Sequence, residues 1–74
     1  MELELSFVEL GKKLYEEYRR VDNYSITKEN FSKLTHDEEK EIMKGFIEQR
    51  KINVPEESEN DHIVTFWAML DELQ

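Results

Sequence analysis

Thr35-His36-Asp37-Glu38-Glu39-Lys40-Glu41-Ile42-Met43-Lys44-Gly45-Phe46-Ile47-Glu48-Gln49-Arg50-Lys51 reads as one helix with both of its ends marked. Thr35 and Glu38 have the spacing of a capping box. The threonine hydroxyl can accept from the Glu38 amide, and the Glu38 carboxylate can reach back to the Thr35 amide. Ile42, Met43, Phe46 and Ile47 then recur at helical spacing as one apolar stripe. Asp37, Glu38 and Glu39 stand in the first turn and Arg50 and Lys51 in the last, the order that complements the helix dipole. The pattern predicts a helix over about 36–51.

The same signals repeat on either side. Upstream, Thr27 can cap a short helix of about 28–34, with Ile26 and Phe31 placed as a hydrophobic staple and Phe31 and Leu34 pointing inward. Ser6 and Glu9 form another capping box, and Leu5 and Leu10 another staple. The helix they open is expected over about 7–21. One face of it carries Phe7, Val8, Leu10, Gly11, Leu14, Tyr15, Tyr18 and Val21; the other carries Lys12, Lys13, Glu16, Glu17, Arg19 and Arg20, with Glu16 and Arg20 in the favourable i,i+4 order. A glycine inside a helix costs about 1 kcal/mol relative to alanine. Gly11 on the apolar face is therefore expected to let another helix approach closely. Residues 1–5 alternate and read as a short edge strand or one more helical turn.

Downstream, Val54 before Pro55 favours extended backbone, so residues 53–60 are expected to be a loop or, after Pro55, a first helical turn. A last helix follows at about 60–73. Ile63, Phe66, Trp67, Leu70 and Leu73 cover about 120° of it, and Val64, Ala68 and Met69 widen that arc beyond what a surface helix needs. This helix is therefore expected to be either the centre of the bundle or the owner of a second, partner-facing side. The fold predicted is all-α: one small domain over 1–74, a bundle of three main helices and one short one.

Composition limits what such a bundle can do. The chain has 74 residues, 9.0 kDa, one proline, two glycines and no cysteine, so neither disulfides nor thiolate chemistry are available. No apolar run approaches the roughly 20 residues of a membrane span. The acidic start argues against a signal or transit peptide, and a soluble cytoplasmic protein is expected. The net charge is −8, concentrated at residues 1–10 and 51–74. Phosphate backbones and anionic membranes repel such a chain, while a basic protein surface attracts it.

Chemistry-bearing patterns are sparse. His36 and His62 have no second histidine or cysteine at ligand spacing, and His36 is expected to be solvated in a cap. The runs Glu38-Glu39-Glu41 and Glu56-Glu57-Glu59 lie in stretches expected to face solvent, the wrong environment for a carboxyl that must hold a proton. No glycine-rich phosphate loop and no EF-hand ladder occurs. The expectation is no enzyme, no cofactor and no metal. Lys12, Lys13, Arg19 and Arg20 share their face with acids and read first as a salt-bridged surface. The two middle helices could form a helix-turn-helix, but its recognition helix would lead with Asp37, Glu38 and Glu39.

What remains is the last helix. Trp67 is of the type enriched in interface hot spots, although in so small a domain a lone tryptophan is more often the core anchor; the two readings agree if Val64, Ala68 and Met69 are the exposed members. Glu56, Glu57, Glu59, Asp61, Asp71 and Glu72 would form an acidic rim around them. These residues point to a non-catalytic acidic protein–protein interaction module. It would be a small regulator or inhibitor of the kind found in phages and mobile elements, docking on a basic and apolar partner, with nucleic-acid mimicry as one version. A homodimer through the last helix is a further arrangement. The alternative function is a helix-turn-helix-like nucleic-acid-binding accessory domain using the bases of the first helix.

Overall fold

Four hydroxyl side chains start the four helices. The computed structural model describes residues 6–20 and 23–73. Ser6, Thr27, Thr35 and Ser58 each accept from the backbone amide three residues on, at 3.1, 3.0, 3.2 and 3.2 Å. These bonds satisfy amides that a helix N-terminus leaves unpaired. The helices are α1, Phe7–Arg20; α2, Lys28–Ser32; α3, His36–Asn53; and α4, Glu59–Glu72. The Thr35 capping box is complete, because Glu38 Oε1 accepts from the Thr35 amide at 2.8 Å. The readings of residues 1–5, of Leu5 as a staple and of Val21 lie outside the described residues.

The ends differ from expectation for local reasons. α2 stops at Ser32 because the amides of Lys33 and Leu34 bond three residues back, to Asn30 and Phe31, closing a tighter last turn. α3 runs to Asn53, where Val54 still donates to the Arg50 carbonyl at 2.7 Å but takes φ −134° ahead of Pro55. Residues 55–57 form a turn, and Ser58 starts α4 one residue earlier than predicted. Leu73 leaves the helix at ψ 142° and is buried.

The bundle is organised around α3, which packs against α1 on one side and α4 on the other. Of the two readings of the last helix, the central one is thus excluded: α3 is central, and α4 has an exposed outer side. Gly11 does admit a second helix, and that helix is α3, at Ile42 and Phe46. The approach is reciprocal: Gly45 of α3 lies against the backbone of Val8. From this crossing the core spreads through rings. Phe46, fully buried, meets Tyr15 edge-on at 5.2 Å between centroids, Tyr18 at 6.0 Å and Phe66 at 5.4 Å. Phe31 of α2 covers Phe66 at 6.2 Å. Leu14, Ile42, Met69, Leu70 and Leu73 fill the remaining space.

Candidate functional site

α4 contains no lysine and no arginine, but four carboxylates: Glu59, Asp61, Asp71 and Glu72. Its inner face is His62, Phe66, Met69 and Leu70. At 100° per residue that stripe is turned by roughly 50° from the predicted arc, because it takes in Met69 and His62 at one edge and gives up Ile63 and Trp67 at the other. Met69 has no exposed surface and is removed from the docking residues; it is core. Trp67 and Val64 are the exposed pair instead, at 52% and 57%, with Ala68 also exposed. Trp67 does not hang free: its ring stands edge-on to Phe66, centroids 5.5 Å apart.

Trp67 forms the shared wall of two open depressions. One lies between α3 and α4 and is lined by His36, Glu39, Lys40, Met43 and Phe66. The other lies between α2 and the end of α4, lined by Lys28, Ser32, Leu70, Asp71 and Leu73. Phe31 belongs to both. Sequence alone does not reveal this arrangement. Phe31 and Met43 were legible as inward-facing, but nothing local shows that α2 and α3 bring them beside Trp67.

The acidic rim is divided by its partners. Glu57 is taken by Arg50 Nη2 at 2.5 Å and Glu59 by Lys51 Nζ at 2.6 Å, so neither offers an unused charge. Glu72 accepts a long bond from the Tyr24 hydroxyl at 3.5 Å. Among the described residues Glu56, Asp61 and Asp71 have no ion-pair partner. On α1, Arg19 rather than Arg20 pairs with Glu16, at 3.3 Å, and its guanidinium lies 6.0 Å from the Tyr15 ring centre. Glu17 is also engaged, accepting from the Ser25 amide and hydroxyl at 2.9 and 2.5 Å. Among the described residues Arg19 is thus the one base of α1 in an ion pair, and the salt-bridged surface expected there is realised at that single pair.

Behind the outer face, Arg50 ties α3 to α4. Its Nη1 donates to His62 Nδ1 at 2.7 Å while Nη2 holds Glu57. A guanidinium has only donors, so Nδ1 must present its lone pair and the ring hydrogen is assigned to Nε2. His62 is 1% exposed, a polar ring in the core made tolerable by a donor from another helix. Arg50→Met removes that donor without removing the aliphatic packing. It is expected to cost about 1–3 kcal/mol, the penalty of an unpaired buried acceptor, read as a lower urea midpoint.

Tyr24 supplies a pH dependence. Partial burial, then the nearby Glu72 charge, push its phenol from 10.0 up to about 12. The folded protein therefore holds this proton more tightly than the unfolded chain. Its contribution is complete below pH 10 and falls away as pH rises through 12. Tyr24→Phe is expected to flatten the alkaline limb of stability against pH in that window, followed by circular dichroism.

Among the described residues no three histidine or acidic side chains converge to hold a metal ion, and no helix is long and apolar enough to cross a membrane. Compared with known proteins, the chain matches no protein-family model, no curated protein and no solved structure.

Proposed function

We propose that this protein is a non-catalytic interaction module that docks through the outer face of α4 onto a protein surface apolar at its centre and basic at its edge. One observation carries it: Trp67 and Val64 stand half exposed, side by side, on a helix that has no cation and keeps Asp61 and Asp71 unpaired among the described residues. A tryptophan edge-packed on the core is a preformed anchor, since little side-chain freedom is left to lose on binding. Carboxylates beside it favour a basic partner and disfavour nucleic acid and anionic lipid. A small rigid bundle of this kind acts by covering a surface on its partner, as a regulator or inhibitor does.

The test is capture by the tagged full chain from its native cell after nuclease treatment. Trp67→Ser or Val64→Lys is expected to lower recovery of a stoichiometric partner by about tenfold or more, as loss of a hot spot does. Replacing Lys12, Lys13, Arg19 and Arg20 together should leave recovery intact. If recovery depends on nucleic acid and on those four bases, the α4 face is not the site and the chain is a nucleic-acid-binding accessory domain.

A further inference from the structure

The two depressions beside Trp67 share a floor residue, Phe31, and a wall, Trp67, so they form one interrupted groove. Their volumes, about 240 and 320 Å³, lie below and at the lower edge of small-molecule sites, and both are open to solvent. They are sized for protruding side chains, one in each. The described residues contain no strand, so there is no sheet edge on which an extended peptide could add itself. The peptide form that offers two neighbouring apolar side chains from one side is a helix, at positions i and i+3 or i+4.

Charge distinguishes the two edges of the groove. The α2 and α3 edge carries Lys28 and Lys40, with His36 and the half-buried Glu39. The α4 edge carries Asp71, and Asp61 follows on the same outer face beyond Val64. Among the described residues Lys28, Lys40, Asp61 and Asp71 are all outside ion pairs. Two copies do not fit each other through α4. Pairing α4 with α4 brings aspartates against aspartates, and that helix has no lysine or arginine to relieve them.

We infer that the groove receives an amphipathic helix of a partner protein, two apolar side chains seating either side of Trp67 and a lysine or arginine flank lying along the α4 edge. The inference rests on the docking function proposed above and names the chemistry of what docks.

A displayed library of helical peptides, selected on the immobilised full chain, tests it. Convergence is expected on two large apolar positions three or four apart, with Lys or Arg on one flank. Trp67 is the chain's only tryptophan, so its emission reports the site and should move to shorter wavelength as a selected peptide covers it. Asp71→Lys should weaken that peptide about tenfold, and exchanging the facing lysine for glutamate should restore it. Acidic flanks with no basic flank opposite them, no convergence, or binders that leave Trp67 emission unchanged overturn the inference. So does a dimer in sedimentation that Val64→Lys dissolves. If cellular capture still depends on Trp67 while the library fails, the docking face stands and the helix falls. If capture is indifferent to Trp67 and Val64 as well, both fall.

Discussion

Gly45→Ala is expected to destabilise the protein by about 3 kcal/mol or more, although the same change in an isolated helix stabilises by about 1 kcal/mol. The sign is set by the helix crossing. A Cβ on Gly45 would sit impossibly close to the Val8 carbonyl oxygen, and its second neighbour is the Val8 carbonyl carbon at 2.7 Å. Gly11→Ala meets the same obstacle from the other side, with the Phe46 amide nitrogen at 2.8 Å. These neighbours are backbone, so no rotamer change relieves the clash. α1 and α3 must separate, opening the interface between Phe46 and the two tyrosines of α1. A domain this small has little stability in reserve, and 5 kcal/mol is about the lower end of the usual range. Urea unfolding by circular dichroism checks the outcome. A variant as stable as the parent would mean that the helices do not cross at these glycines.

Phe46→Ala should cost about 3–5 kcal/mol. The side chain is fully buried and touches rings from both neighbouring helices, Tyr15 and Tyr18 on α1 and Phe66 on α4. Its loss leaves a cavity where the three long helices meet, and edge-to-face contacts worth about 0.5–1.5 kcal/mol each go with it. Phe46→Leu, which keeps most of the volume, should retain the fold at lower stability. The pair of variants separates loss of packing from failure to fold. The alanine variant is expected to be partly unfolded at 25 °C, with the leucine variant cooperative.

The helices were legible because their starts are local chemistry. Ser6, Thr27 and Thr35 were each readable as caps, and the hydroxyl of each accepts from the amide three residues on. The core face of α4 was not readable in the same way. His62 sits in the core only because Arg50, twelve residues earlier on another helix, donates to it. A pattern based on apolar residues alone therefore turned the stripe toward Ile63 and Trp67 and left Met69 outside. The crossing was half legible. Gly11 interrupts an apolar face and so announces a close contact, but nothing around Gly45 says which helix will meet it. For the site, the surplus of apolar residues on α4 implied that some of them face outward, and Val64 and Trp67 are the ones that do. Glu57 and Glu59 looked like free rim charges because their partners, Arg50 and Lys51, belong to the preceding helix.

Both of the chain's glycines lie at the α1–α3 crossing, and this leaves none for its turns. The connections over 23–27, 33–35 and 54–58 are built without the residue that gives an unfolded chain most freedom, and one of them contains Pro55. Such connections have less conformational entropy to lose on folding. Fewer backbone conformations are open to the connections that set α2, α3 and α4 around Trp67 than glycine-bearing turns would allow. A binding surface that is already shaped loses little further freedom on association, and more of each contact's energy appears as affinity.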